Sequence, residues 1–164
     1  TLVTSCAECF RTFALDYELD DMKVMHTTEF LVEKGFDMGL KTNDEVTVTY
    51  HDPCRLGRQM NIYDEPRDLV GSVEGVNLVE MEHTGEDALC CGVSSMMSCN
   101  ENSRALRVQR FDEVRETGAD IMLTSCPKCV AHFECLKFEG DPRHDFEILD
   151  VVSFLARQIE ESRN

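Results

Sequence analysis

Short apolar runs alternate along the chain with longer segments in which apolar residues recur at helical spacing. The apolar runs have the length of buried strands, and each is followed by turn residues or by cysteine. We predict strands at Leu2–Thr4, Val46–Tyr50, Val76–Met81, Ile121–Thr124 and Glu147–Leu149. We predict helices at Ala7–Asp16, Thr27–Glu33, Glu65–Gly71, Asn102–Thr117, Lys128–Leu136 and Val151–Glu161. Gly118 suits the C-cap of the fourth helix, and Asp150 suits the N-cap of the last.

This alternation predicts an α/β fold. Strands joined by helical crossovers form a mostly parallel, Rossmann-like sheet with helices on both faces. Ligands of such sheets lie beyond the carboxyl ends of the strands. Because Cys6, Cys54 and Cys126 each follow a predicted strand closely, we expect cysteine ligands at that edge. The helix that follows Cys126 also directs backbone N–H groups and its positive end toward an anion there.

The cysteines follow a regular pattern, which reads Cys54, then Cys90-Cys91-Gly92, then Cys126-Pro127-Lys128-Cys129. Thirty-five residues separate Cys54 from Cys90, and thirty-four separate Cys91 from Cys126. Adjacent side chains face one site only where the backbone turns sharply, and Gly92 supplies that freedom. Five thiols that converge from separate segments are what an iron–sulfur cluster requires. We therefore predict a cluster held by the five cysteines, with Gly92 in the turn beside it.

Two other interpretations of the cysteines stay open. Four of the thiols suffice for a closed tetrahedral zinc site, although a fifth ligand favours iron. The run Cys126-Pro127-Lys128-Cys129 alone also matches a thioredoxin-like motif, which acts by thiol–disulfide exchange and needs a thiolate of low pKa. The three further cysteines at regular spacing favour a metal cluster.

The two ends of the chain resemble each other. Thr4–Cys9 and Thr124–Cys129 share four of six residues. Such internal similarity indicates duplicated units. We predict that residues 1–40 are the tail of a preceding cysteine-rich unit, with Cys6 and Cys9 as metal ligands, and that residues 41–164 form one such unit. The chain begins with Thr rather than Met, so we expect it to be part of a longer protein.

Charge and cysteine count limit the classes of function. The net charge of −16 arises from 32 acidic and 16 basic residues. This balance disfavours nucleic acid as a partner, because phosphates require a basic surface. Nine cysteines cannot all pair as disulfides, so we expect a cytoplasmic protein with metal-bound thiols. No apolar run approaches the ~20 residues of a membrane-spanning helix.

Several segments around the cysteines resemble one known family. They are Tyr50–Gly57, Asn61–Arg67, Ala88–Gly92 and Thr124–Cys129. The pattern is similar to the cysteine-rich CCG domain of the B-type and D-type subunits of heterodisulfide reductase. Relatives include DsrK-type subunits and the iron–sulfur subunits of glycolate, lactate and glycerol-3-phosphate dehydrogenases. The resemblance covers residues 46–160 as one unit. The chain departs from it after Gly92, where Val93–Met97 replaces the glycine-rich continuation that the family often has.

The resemblance implies a non-cubane [4Fe-4S] cluster on Cys54, Cys90, Cys91, Cys126 and Cys129. In B-type subunits, two such clusters cleave the mixed disulfide of coenzyme M and coenzyme B, so the implied activity is that of a heterodisulfide reductase-like subunit. The alternatives are an electron-transfer subunit of a 2-hydroxy acid or glycerol-3-phosphate dehydrogenase, and a zinc-bound structural module. The implied partners are ferredoxin-like or flavin-containing electron-donor subunits, a small-molecule disulfide and a membrane-anchored subunit.

Other residues near the motif have two open interpretations. His51 and His132 are either donors of a hydrogen bond near the cluster or ordinary buried histidines. Arg55 and Lys128 either offset the charge of a thiolate-bound cluster or are plain surface charges. Packing roles are predicted for the remaining sulfur-containing side chains in this region, Met96, Met97, Cys99 and Cys135. The charged run Glu101–Glu116 is predicted to be a helix with one solvated face.

Overall fold

The computed structural model describes residues 1–36, 39–93, 100–143 and 145–162. Within these residues the strands are β1 (Leu2–Thr4), β2 (Val24–His26), β3 (Lys41–His51), β4 (Glu74–Val79), β5 (Ile121–Thr124) and β6 (Glu147–Asp150). The helices are α1 (Ala7–Leu15), α2 (Thr27–Glu33), α3 (Gly57–Met60), α4 (Asp64–Gly71), α5 (Glu101–Thr117), α6 (Pro127–Phe138) and α7 (Val151–Glu161). None of these described helices is long and apolar enough to cross a membrane. The predictions for Met96, Met97 and Cys99 lie outside the described residues.

The larger sheet has the order β4-β3-β5-β6 in the described part of the chain, and every neighbouring pair in it is parallel. All residues of β5, from Ile121 to Thr124, are buried. This is expected for an inner strand of a parallel sheet that is covered on both faces, where the apolar run is continuous rather than alternating. The predicted Rossmann-like α/β fold is therefore confirmed.

Two apolar cores lie on opposite faces of this sheet. Ile121 and Leu123 pack in one core with apolar residues of α4 and α7. Met122, which lies between them in the chain, packs in the other core with residues of α5 and α6 that include Phe111 and Phe133. Successive residues of a strand point to opposite faces, so the helices cover both sides of the sheet.

A two-stranded parallel sheet precedes this layer and repeats part of it. β1 pairs with β2 so that Thr4 lies opposite His26, which is the N-cap of α2. β5 pairs with β6 so that Thr124 lies opposite Asp150, which is the N-cap of α7. The segments β1–α1–β2–α2 and β5–α6–β6–α7 therefore share both element order and strand register. Sequence reasoning missed β2, because three residues that end in histidine carry no clear apolar run.

The predicted elements are present, with some of their ends shifted. β3 begins earlier than predicted, at Lys41, and its pairing with β4 shifts register before Val46. The short helix α3 was not predicted. Gly118 ends α5 in a left-handed conformation with φ of +69°, and the Asp150 carboxylate accepts the Val152 N–H at 2.9 Å. Both predicted caps are confirmed.

The charged helix α5 differs from its prediction in one respect, because its buried face carries charges. Arg107, Arg110 and Glu113 lie on this face beside Phe111 and Val114. Both arginines are at most 1% exposed. Buried charges are tolerated only where they are paired and hydrogen-bonded, and that depends on partners from distant segments. The local pattern of apolar residues therefore could not reveal them.

Candidate metal centre

Two adjacent strands deliver cysteines of the motif to the same edge of the sheet. β3 ends at His51 and β5 ends at Thr124, and these two residues lie opposite each other in a parallel pair. Cys54 follows β3 in a tight turn that leads into α3. Cys126 follows β5 directly and is the N-cap residue of α6. This carboxyl edge is where ligands of parallel sheets bind.

The five cysteines of the motif form a continuous series of contacting thiols at this edge. Their side chains hydrogen-bond in the order Cys54, Cys90, Cys91, Cys129 and Cys126. The described cysteines are all free thiols. Four members of the series line a space of about 370 Å³ that is open to solvent, as do Glu8, Arg55 and Lys128. The structure thus brings together the five cysteines that the sequence selects.

The crowding of these thiols separates their acidities. A hydrogen bond from the Cys129 side chain lowers the pKa of Cys126 to about 6 against the effect of burial, and backbone N–H groups at the start of α6 lower it further. The pKa of Cys129 is raised well above its usual value by its hydrogen bonds to Cys126 and Cys91 and by burial. Opposite shifts are expected where one sulfur takes the negative charge and its neighbours donate to it. Cys126 is therefore the thiolate of the series at neutral pH.

Gly92 turns the backbone so that the adjacent thiols of Cys90 and Cys91 both join the series. Its φ is +87°, a conformation that residues with a Cβ rarely adopt. Its N–H donates to the Cys90 sulfur at 3.3 Å. A Cβ at this position would lie 2.7 Å from the carbonyl oxygen of Ser103 on α5. Glycine is thus required here for both the backbone angle and the available space.

His51 lies buried against the thiol series. One of its ring nitrogens and the sulfurs of Cys91 and Cys129 lie within 4.8 Å of one another. Its Nδ1 accepts a hydrogen bond from Nε of Arg110 at 3.1 Å. Burial, and then the positive charge of Arg110, lower the pKa of His51 to about 3. The imidazole is consequently neutral at physiological pH.

The remaining sequence candidates near the motif lie around the site in different ways. His132 packs near Gly92, and burial lowers its pKa. Arg55 and Lys128 line the open space, where Arg55 donates to Gln59 at 2.8 Å and Lys128 pairs with Glu8. Both cations are therefore close to the thiols and also have partners of their own.

Cys135 lies outside the series of contacting thiols. It is half-buried, and its thiol donates to the carbonyl of Ala131 at 3.4 Å within α6. The prediction that it is a core residue was wrong, because it lies on the outer part of the helix rather than on the face that carries Cys129 and Phe133.

A buried ion pair braces the turn that carries Cys54, and sequence reasoning did not single it out. The Asp52 carboxylate accepts two N–H groups of Arg67 at 2.8 and 2.9 Å and the N–H of Gly85 at 2.9 Å. Arg67 also donates to Glu80 and lies over the ring of Tyr50. The pair joins the end of β3 to α4 and to the loop after β4. The signal was present, since Asp52 and Arg67 fall in two of the segments that resemble the family.

Cys6 and Cys9 lie at the start of α1, next to the start of α6. The Cys6 sulfur accepts the N–H of Cys9 at 3.5 Å and caps α1. The backbone N–H of Ala7 donates to the Cys126 sulfur. Burial raises the pKa of Cys6. The two Cys-x-x-Cys segments are therefore neighbours, although Cys6 and Cys9 do not belong to the series of five.

His26 connects these two segments on the side away from the open space. Its ring is 1% exposed and contacts the backbones of Ser5 and Ser125, the residues before Cys6 and Cys126. Its Nδ1 accepts the N–H of Thr28, which makes it the N-cap of α2. Burial lowers the pKa of His26 to about 4, so this contact is made by a neutral ring.

We expect His26→Ala to be less stable than His26→Asn by about 1 kcal/mol, because asparagine keeps an acceptor for the first turn of α2 and alanine does not. Urea unfolding of the two variants, followed by circular dichroism, measures the difference. Equal unfolding midpoints and slopes would contradict the capping role of this residue.

Residues 48–134 match the family described as the CCG "Cysteine-rich domain". This range covers more than half of the chain and includes the five thiols in series. The chain belongs to the CCG cysteine-rich domain family. The resemblance that its motifs predict is confirmed.

Curated relatives of this CCG chain include several iron–sulfur proteins. It is 32% identical over 165 residues to the D-type subunit of the dihydromethanophenazine:CoB–CoM heterodisulfide reductase of Methanosarcina acetivorans, a match that covers 94% of this chain and 40% of the relative. It is 31% identical to the B-type subunit of the fumarate reductase (CoM/CoB) of Methanothermobacter marburgensis, covering 94% and 32%. It is 30% identical to the probable iron-sulfur-binding oxidoreductase FadF of Bacillus subtilis, covering 84% and 20%. The chain thus spans well under half the length of these relatives.

Proposed function

We propose that this CCG chain is the redox unit of an iron–sulfur reductase subunit, with a cluster held by Cys54, Cys90, Cys91, Cys126 and Cys129. The observation that carries the proposal is the unbroken series of five contacting thiols at the carboxyl edge of a parallel sheet. Thiolates are the soft ligands that hold iron in clusters. The names of the relatives, which are iron–sulfur oxidoreductases and reductase subunits, support the same class of function.

The site suits a cluster better than a single zinc ion. A closed structural zinc site takes four ligands, one fewer than the number of thiols in the series. The space of about 370 Å³ beside the thiols also leaves one side of the centre accessible to a small molecule. A structural zinc ion gains nothing from such an opening, whereas a reacting cluster needs one.

The proposed reaction is the two-electron reduction of a small-molecule disulfide of the coenzyme M–coenzyme B kind. When bound, the cluster supplies electrons and an iron that accepts a thiolate. The chain's own residues prepare the site for it. Cys126 is already a thiolate at neutral pH. Arg55 and Lys128 lie at the opening, where their charges attract an anionic thiol compound.

The N-terminal segment extends this proposal to a second centre. We infer that residues 1–40 are the end of a first CCG unit and that Cys6 and Cys9 are two of its ligands. The matching strand register of β1–β2 and β5–β6 supports this inference, as does the contact of Ala7 with Cys126. Two centres side by side would each supply one electron and one site for a sulfur atom of the same disulfide.

A second candidate is an electron-transfer unit that passes electrons to or from a partner protein without binding a disulfide. The range of relatives favours keeping it, because proteins named for heterodisulfide reduction and for fumarate reduction match almost equally well. Partner subunits belong to either proposal, since both relatives are named as subunits of larger enzymes. Oxidation of the reduced centre by added disulfide distinguishes the two, because only the first candidate reacts directly.

Metal and acid-labile sulfide analysis of the anaerobically purified chain tests the cluster. We expect about four irons and four sulfides for each five-cysteine site. Cys54→Ser and Cys91→Ser should lose most of this iron and sulfide, because each removes a member of the contacting series. Cys135→Ser is the matched control, since this thiol lies in the same part of the fold but outside the series.

Two results would overturn the proposal. One zinc per chain without sulfide would leave a structural role for the site. Equal loss of iron in Cys135→Ser and Cys91→Ser would mean that the series of contacting thiols does not define the ligands.

A further inference from the structure

The His51 ring is held between a buried cation and the sulfur atoms of the site. Nε of Arg110 lies 3.1 Å from Nδ1 on one side of the ring. The sulfurs of Cys91 and Cys129 lie within 4.8 Å of a ring nitrogen and of each other. Nε2 is buried and has no hydrogen-bond partner among the described residues. The side chain is 1% exposed, so water does not supply that partner from bulk solvent.

The partner on Nδ1 determines where the single proton of the neutral ring lies. A guanidinium group has N–H donors and no acceptor, so Arg110 must donate. Nδ1 must then carry a lone pair, and the ring proton lies on Nε2. We propose that Arg110 fixes the Nε2–H tautomer of His51 and so makes this histidine a hydrogen-bond donor to the sulfur atoms held at Cys91 and Cys129, rather than a metal ligand.

The same contact argues against direct ligation by His51. A histidine that binds a metal through one ring nitrogen donates its other N–H to a carboxylate, a carbonyl or water. The other ring nitrogen of His51 faces a donor instead. Binding a metal through Nε2 would require an imidazolate next to a guanidinium, with the proton lost from both nitrogens. Donation to a sulfur atom uses the ring as the structure holds it.

Arg110 is itself held rigidly enough to act as a positioning residue. Its guanidinium pairs with the buried Glu113 carboxylate and donates to the carbonyl of His83 at 2.6 Å. Glu113 also pairs with the His83 ring at 2.8 Å. On the other side, Phe133 meets the His51 ring edge-on, at 4.9 Å between centroids and 89° between planes. These contacts fix both the direction of the Arg110 Nε–H and the plane of the imidazole.

An N–H aimed at cluster sulfur has a consequence for redox chemistry. Hydrogen bonds to the sulfurs are one of the means by which proteins set the reduction potential of a cluster. The reduced centre is more negative than the oxidised one, so a donor stabilises it more and raises the potential. This consequence rests on the proposed cluster, whereas the tautomer assignment does not.

Nitrogen NMR of the histidine rings tests the tautomer in the reduced, metal-free chain. We expect His51 to carry its proton on Nε2 with an unprotonated Nδ1. The double variant Arg110→Met/Glu113→Gln, which removes the cation and its counter-charge together, should lose this preference and populate both tautomers. An Nδ1–H form of His51 in the unsubstituted chain would overturn the proposal, even if the variant fails to fold. This arm stays decisive if the chain proves to bind zinc.

The reduction potential of the loaded full-length protein tests the donation itself. His51→Leu should lower the potential by the equivalent of about a tenfold change in the ratio of reduced to oxidised centre, about 59 mV for one electron. His51→Gln should recover part of this shift, because its amide offers both an acceptor to Arg110 and an N–H to sulfur. In the unsubstituted protein, an exchangeable proton coupled to the paramagnetic centre should be present and should vanish in His51→Leu. Unchanged potential and coupling in His51→Leu at full iron content, or a directly coordinated nitrogen in the pulsed EPR of the unsubstituted protein, would reject the role.

Discussion

Replacement of Gly92 with alanine is expected to destabilise the chain by about 2–4 kcal/mol and to abolish cluster assembly. The φ of +87° is strained for any residue with a Cβ, and the new methyl group would lie 2.7 Å from the Ser103 carbonyl oxygen. That carbonyl belongs to the first turn of α5, which a capping box with Asn100 holds in place, so it cannot move aside easily. The turn must distort instead, and it carries Cys90 and Cys91.

Gly118→Ala is the matched control for this effect. Gly118 also has a positive φ, of +69°, but no atom lies within 4 Å of its added Cβ. We expect it to cost only the backbone strain, about 1–2 kcal/mol, and to assemble a full cluster. Urea unfolding gives the stabilities, and iron and sulfide content gives the assembly. If both variants lose the same stability and keep the same iron, the close approach of α5 to the Cys-Cys-Gly turn has no consequence.

Arg67→Met is expected to destabilise the chain by about 3–5 kcal/mol, because it leaves the Asp52 carboxylate buried without its cation. Asp52 is 3% exposed, and Arg67 supplies two of its hydrogen bonds. Arg157→Met is a suitable control, since Arg157 makes a similar two-point contact with Glu147 at the surface. Exposed pairs of this kind contribute about 0–1 kcal/mol. Comparable losses in the two variants would show that Asp52 is not effectively buried.

The cost of Arg67→Met should also fall as the pH is lowered. Burial raises the pKa of Asp52, but its hydrogen bond and charge pairing with Arg67, together with the Gly85 N–H, leave it below the usual value of 3.8. In the unsubstituted chain this carboxylate therefore adds stability at pH values above 3.8, which is lost as the pH falls through its lower folded pKa. Without Arg67 the effect of burial dominates, the folded pKa rises, and protonation at mildly acidic pH relieves the unpaired charge. Unfolding at neutral and mildly acidic pH should show the difference between the two chains shrinking, and a difference that grows would contradict this assignment.

The motif region could be predicted well because its information is local. Cys54 and Cys126 follow short apolar strands, and parallel strands end at one edge, so their meeting point follows from the alternation of elements. The Cys-Cys-Gly run predicts its own turn, because only glycine adopts φ of +87° without strain. Family membership followed from the same runs, since they lie within residues 48–134.

The supporting contacts could not be predicted, because each joins residues far apart in the chain. The Arg110–His51 bond spans 59 positions, and the contact between Ala7 and Cys126 joins opposite ends of the protein. A charged residue such as Arg110 appears solvated in a helical pattern until the fold supplies Glu113 and the end of β3 as its surroundings. Strand β2 was missed for a related reason, since it exists by pairing with β1 rather than by its own apolar run.

The amino-acid sequence by itself determined the α/β class, the five cysteines at one sheet edge and the family, because spacing, apolar periodicity and glycine are properties of the local chain. Only the tertiary structure decided the order of thiol contacts from Cys54 to Cys126, the thiolate character of Cys126 and the role of His51. Those features depend on which groups meet after folding, at distances of a few ångströms, where burial and hydrogen bonding set the protonation state of each group.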